Sequence, residues 1–167
     1  MIDALCWWIV TILYNRVRVI HVQGKPYLLR CYLKHGGILP GIYLHYFFAG
    51  DEERHLHNHP WKKSRSFILT CGYTEERLAF APNGGLFVET FERKPFTWNK
   101  ITSKDFHRVK LSQGNPWTVF ISGKKFQDWG FFDVETSRYV SHLDHFDNTK
   151  ETGLVTDAAG NPATLRD

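Results

Sequence analysis

The strongest constraint on this fold is punctuation. Short β-prone runs at 16–22, 27–33, 42–48, 66–71, 86–91, 96–101, 105–111, 117–122 and 129–132 are separated by turn chemistry. Examples are Gln23-Gly24-Lys25-Pro26, Leu39-Pro40-Gly41, Ala81-Pro82-Asn83-Gly84-Gly85 and Ser112-Gln113-Gly114-Asn115-Pro116. Runs this short, recurring at this spacing, predict an all-β sandwich or barrel. The first run and its neighbour read as a β-hairpin.

A chain of 167 residues fits one domain with a core that needs no staples. Residues 1–147 are read as that domain. Residues 148–167 turn to Thr, Gly, Asp, Asn and Ala, and are expected to be an extended tail, mobile or draped over a neighbour. The aromatic content, 16% of the chain, supplies bulk for a core and for pocket walls. Net charge is only +4, and its short basic groups, such as Lys62-Lys63-Ser64-Arg65, read as solvated strand ends. No nucleic-acid module is matched, so no nucleic-acid partner is expected. Cys6, Cys31 and Cys71 are too few and too scattered for a disulfide framework, which points to a reducing, cytoplasmic setting. The apolar stretch 4–14 is too short to span a bilayer, and Asp3 before it is wrong for a secretory signal. It is read as a helix or strand packed on the domain, with attachment to a membrane surface as the alternative.

Chemistry concentrates in His55-Leu56-His57-Asn58-His59-Pro60-Trp61. In an extended strand alternate side chains share a face, so His55, His57 and His59 form a row with neighbours roughly 6.5 Å apart. One ion can be gripped by two of the three, and Pro60 holds His59 extended. A third ligand must come from elsewhere, with His107 the leading candidate. A hydrogen-bonded polar strand face is the competing reading. His45, on an aromatic strand, suits a core histidine or a group that orients a ligand. Glu75, beside Glu76 and Arg77, suits a solvent-facing strand end, and otherwise a distant ligand or general base. His142-Leu143-Asp144 has a His-x-Asp form, but no distal histidine and arginine follow it.

Tyr43-Leu44-His45, His57-Asn58-His59-Pro60-Trp61, Gly72-Tyr73-Thr74-Glu75, His107-Arg108-Val109 and Trp129-Gly130-Phe131 together resemble the cupin superfamily, and more closely a group of bacterial and phage cupin-like proteins. The likeness runs from about Tyr27 to Phe132. It implies a small double-stranded β-helix, or jelly-roll, barrel with a short apolar N-terminal segment and a polar tail. It also implies metal ligands at His57, His59 and His107, with His45, His55 or Glu75 as an extra ligand or an orienting group. The glutamate usual in the first cupin motif would fall at Ser64-Arg65-Ser66, where no carboxylate stands. Three imidazoles leave a divalent ion its full charge, which makes it a stronger electrophile and a better host for an anion. This pattern resembles the thiol dioxygenases of the class.

The expectation is therefore a metal-dependent enzyme, oxygen chemistry first, acting on a small anionic molecule at one divalent transition metal. Iron leads, with zinc, nickel, copper or manganese as alternatives. Trp61, Tyr73, Trp117 and Trp129 are expected to line the pocket, and Arg65 or Arg108 to meet the substrate's negative end. The alternative is a non-catalytic small-molecule-binding cupin with a structural metal or none. Homodimerisation through paired sheets is expected of the class. No individual catalytic residue emerges.

Overall fold

The computed structural model describes residues 1–35, 40–51, 55–83 and 85–143. A helix, α1 (Ile2–Ile12), and a 3-10 turn, Tyr14–Arg16, precede twelve strands. These are β1 (Val17–Val22), β2 (Lys25–Lys34), β3 (Ile42–Phe47), β4 (Leu56–His57), β5 (Lys63–Ile68) and β6 (Tyr73–Phe80), then β7 (Leu86–Arg93), β8 (Trp98–Thr102), β9 (His107–Lys110), β10 (Trp117–Ser122), β11 (Gly130–Asp133) and β12 (Arg138–Ser141). They form two six-stranded sheets, in the orders β1-β2-β3-β10-β5-β8 and β12-β11-β4-β9-β6-β7. The paired strands run antiparallel. The all-β expectation holds, and the sheets curl into a jelly-roll barrel.

The period of two decides which side chains enter the barrel. On the first sheet Leu29, Cys31, Leu44 and Trp117 point outward, where Cys6 of α1 joins them in one buried cluster. Ile2, Ile9, Val10 and Leu13 complete the seal, so the apolar N-terminal stretch is a helix packed on the domain. Burying each large apolar side chain is worth about 1.5–3 kcal/mol. The other side of α1 stays open, with Leu5, Trp8 and Ile12 more than half exposed. The alternate residues Arg30, Tyr43, His45, Thr118 and Phe120 face the second sheet. There Tyr43, Ile101 and Phe120 form a second buried cluster, and Ile68, Tyr73 and Val109 a third.

Turn chemistry fixes the register. Between β1 and β2 the two-residue turn Gln23-Gly24 has φ of 51° and 73°, the left-handed pair that matches hairpin twist. Gly72 opens β6 where an added Cβ would lie 2.1 Å from the Arg93 carbonyl oxygen, so only glycine fits that approach.

Three expectations need correction. The histidine row is not one continuous strand, because β4 holds only Leu56 and His57. The strand expected at 66–71 is displaced to β5, three residues earlier at each end. A further strand, β12, follows the one expected to be last. The proposed tail at 148–167 lies outside the described residues, as do Asp144 and the charged residues 52–54. Among the described residues no helix is long and apolar enough to cross a membrane.

Candidate metal centre

The short strand β4 is held between β11 and β9, with His57 paired to Phe131 on one side and His107 on the other. Direct cross-strand partners have Cβ atoms about 4.5–5.5 Å apart, so two of the three histidines meet by pairing alone. His59 arrives differently. Asn58 donates its backbone N–H to the Gly130 carbonyl at 3.1 Å, and its side-chain oxygen accepts the Gly130 N–H at 2.9 Å. That clamp carries the chain beyond the strand and turns His59 onto the other two. The three rings form a near-equilateral set, with centroids 5.2 Å (His57 to His59), 4.9 Å (His57 to His107) and 5.0 Å (His59 to His107) apart. One ligating nitrogen from each lies within 4.8 Å of the others.

Glu75 sets the orientation of His107. The His107 Nδ1–H donates to Glu75 Oε1 at 2.6 Å, so in the neutral ring the Nε2 lone pair is free to face inward. His59 Nε2 stands 2.7 Å from that Nε2, and between neutral rings one proton is shared across the pair. Glu75 is wholly buried, and it also takes hydrogen bonds from Arg93 Nε at 2.7 Å, Asn99 Nδ2 at 3.0 Å and Arg77 Nη2 at 3.2 Å. Burial alone would raise its pKa. The His107 bond and charge, the Arg77 charge and the Asn99 bond reverse this and hold the carboxyl well below its usual range. His57 Nδ1 lies 4.0 Å from the buried carboxylate of Asp51, which accepts the Tyr27 hydroxyl at 2.7 Å and the Val109 N–H at 3.0 Å.

Burial, followed by the neighbouring His107, His57, Arg30 and His45, holds His59 neutral far below the ordinary imidazole pKa. Converging neutral imidazoles, one with its tautomer fixed by a carboxylate, are the donor set of a first-row transition metal. All-oxygen cations such as magnesium and calcium do not fit it. Ligands around such an ion at about 2.0–2.1 Å stand roughly 3–3.5 Å apart, so small ring rotations would complete the set.

No family model matches the sequence, and no curated protein matches it. Among solved structures, the Fe(II) form of HppE with its alternative substrate (S)-1-HPP aligns with a TM-score of 0.50 at 6% identity, over 65% of this chain and 56% of that one. Oxalate decarboxylase from Bacillus subtilis, studied for its Mn(II) centres, aligns with a TM-score of 0.50 at 14% identity, over 71% of this chain and 30% of that one. The fold is that of the cupins. At these identities the likeness speaks for the fold alone, and the chain spans little more than half of HppE and under a third of the decarboxylase.

Within this barrel the other expected site residues divide. Trp61 stacks on His59 with centroids 5.8 Å apart, and Phe120 packs 5.3 Å from Trp61 and 6.1 Å from His59. Tyr73 is buried on the same inner face as Glu75. Burial first, then the Glu75 charge, pushes its hydroxyl up to about 12. Glu75 itself overturns the solvent-facing reading, because strand alternation with Tyr73 turns it inward. His45 is also inside, accepting the Arg30 Nε–H at 3.0 Å. His55 stands half-exposed near Asp133, outside the ligating group, since β4 begins only after it.

Two pocket assignments are corrected. Trp117 is an odd-numbered residue of β10 and lies under α1 on the outer face, opposite Phe120. Arg108 alternates with the inward His107 and Val109, and bonds Glu76 outside the barrel at 2.5 Å. Trp129 stacks on His142 at 4.8 Å and packs 5.4 Å from Phe131, whose ring lies 6.4 Å from His57. Arg65 is likewise exposed, between the buried Ser64 and Ser66. A groove of about 540 Å³ lies apart from the histidines, between the β1–β2 turn and residues 111–115.

Sequence reasoning did not anticipate Asp51, Asn99, Arg77, Arg93 or Arg30. For Arg77 a signal existed, because it shares the inner face of one strand with Tyr73 and Glu75. For Asp51, nothing separates it in the sequence from the acidic residues that follow it.

Proposed function

We propose that His57, His59 and His107 hold one divalent transition metal, iron first, and that this cupin is an enzyme acting on a small anionic molecule, with oxygen chemistry the leading class. The carrying observation is the convergence of three imidazoles with no carboxylate among them, backed by a buried glutamate on the Nδ1 of one. When bound, such an ion supplies Lewis acidity and open positions for small ligands.

The protein's own residues have separable tasks. Glu75 keeps a proton on His107 Nδ1, so that Nε2 remains a donor toward the centre. Trp61 and Phe120 wall the site beside His59 and exclude water from that side, which strengthens electrostatic interactions within it. Three free thiols support a reducing, cytoplasmic setting.

Metal content of untagged wild type and of a His57→Ala, His107→Ala double variant, measured by elemental mass spectrometry, tests the reading. Near-stoichiometric metal in the wild type and its loss in the variant are expected, followed by oxygen consumption on a panel of small carboxylates, thiols and phosphonates. A folded wild type that neither contains metal nor takes it up on reconstitution would sink the metalloenzyme and leave a metal-free binding protein. A loaded protein that turns over none of the panel would favour the structural-metal alternative.

A further inference from the structure

The face of the barrel opposite the histidines carries a row of hydrogen-bond donors. Register places Arg30 beside His45 and His45 beside Thr118, across the three neighbouring strands β2, β3 and β10. Paired strands lie about 4.8 Å apart, so these side chains stand shoulder to shoulder on one inner face.

Each member has donor capacity left over. Arg30 uses Nε on His45 Nε2 and lays its guanidinium 5.4 Å over the Tyr43 ring, and among the described residues no carboxylate pairs with it. Because His45 Nε2 accepts that bond, its ring proton must sit on Nδ1 when the ring is neutral. Burial, with Arg30 adding to it, keeps that ring neutral well below the ordinary imidazole range. The Thr118 hydroxyl is buried, 1% exposed as a residue, with no hydrogen-bond partner. A buried hydroxyl without a partner is costly, and the part-buried Arg30 carries its charge beside it with no counter-charge among the described residues. The buried carboxylates are engaged elsewhere, Glu75 by Arg77, Arg93, Asn99 and His107 and Asp51 by Tyr27 and the Val109 N–H.

We propose that Arg30, with His45 and Thr118, forms an oxyanion site on this face that takes the negatively charged end of the molecule whose other end faces the three histidines. The proposal rests on the reading of the barrel as the home of a small anionic substrate and names the residues that select it. The two ends are near one another: His45 stacks 5.4 Å from Phe120, and Phe120 lies 6.1 Å from His59, so donors and ligands border the same phenyl ring. A planar guanidinium presents two parallel N–H groups to a carboxylate or to a phosphate-type group, which a lysine does not. The substrate class is therefore a small carboxylate or phosphonate a few carbons long.

The test is a titration of acetate and, separately, inorganic phosphate into wild type, Arg30→Gln, Arg30→Lys and Thr118→Val, measured by isothermal titration calorimetry. Each protein is run as purified and after chelation, with metal content recorded. The expected result is saturable binding of one or both probes before and after chelation. Arg30→Gln should weaken it about tenfold or more, Arg30→Lys by less and Thr118→Val by about threefold, with metal content unchanged in all. The stronger probe identifies the substrate's oxyanion. Binding that is equal in wild type and the Arg30 variants, or no binding of either probe, overturns the proposal. If Arg30→Gln does not fold, the Lys and Val variants decide alone. A wild type without metal that still binds acetate through Arg30 would refute the metal reading and leave this site standing, whereas metal without oxyanion binding does the reverse.

Discussion

Replacing Glu75 with glutamine keeps the shape of the side chain and removes its charge. The carboxylate is buried and receives hydrogen bonds from His107, Arg93, Asn99 and Arg77. Glutamine can accept from some of these donors, but its amide nitrogen then points a donor at another. Breaking a buried charge cluster by removing one partner costs about 3–5 kcal/mol. The Arg77 and Arg93 side chains remain 18% and 21% exposed, so water recovers part of that cost and the lower end, about 3 kcal/mol, is expected. The same change removes the acceptor that fixes the His107 tautomer, which should weaken metal affinity by about 10- to 100-fold. Urea unfolding and competition with a coloured chelator measure the two quantities on one sample. The pH dependence follows from linkage. The native pKa of Glu75 is depressed below its unfolded value of 4.5, so its stabilisation is full above pH 4.5 and is lost as pH falls below it. The gap between wild type and Glu75→Gln should therefore narrow on acidification below pH 4.5. A variant within about 0.5 kcal/mol of wild type at pH 7, with unchanged metal affinity, would refute the assignment, since surface changes commonly fall in that range.

Trp117→Ala should destabilise the protein by about 3–5 kcal/mol yet leave the metal stoichiometry of the folded fraction intact, because the ring lies under α1; loss of metal from folded protein would place it at the site after all. Gly72→Ala forces a Cβ to 2.1 Å from the Arg93 carbonyl oxygen and should cost about 1–3 kcal/mol by thermal denaturation; an unchanged midpoint would show that the β6–β7 junction gives way freely. For His45 and His59 the native pKa lies below the unfolded 6.5, so the unfolded chain binds more protons and metal-free stability is full above pH 6.5 and falls below it. The slope is up to about 1.4 kcal/mol per pH unit for each ring. Equal urea midpoints at pH 7.5 and 5.5 would contradict the burial of both.

Sequence periodicity made the strands legible because turn residues and alternation act locally. It separated Phe120 from nothing, however: Trp117 and Phe120 are three apart on one strand, so they point to opposite faces, and which face is the interior depends on where α1 docks. The same parity problem turned Arg108 outward and Glu75 inward. His57 and His107 were legible as residue types, but their meeting depends on β4 pairing with β9 across fifty residues of chain. Arg30 carried no local signal at all. It became distinctive only when β2, β3 and β10 aligned it with His45 and Thr118.

The two sheets therefore divide the chemistry. The second sheet brings three histidines together, and its buried Glu75 is committed to orienting His107, so that negative charge is already neutralised by Arg77 and Arg93. The first sheet offers Arg30, His45 and Thr118, and among the described residues no acid pairs with Arg30. Three neutral imidazoles reduce none of a divalent ion's charge, so a loaded centre and Arg30 would both attract an anion from opposite walls. An oxyanion-bearing molecule bridging them is the occupant that leaves the fewest of these charges and donors unanswered.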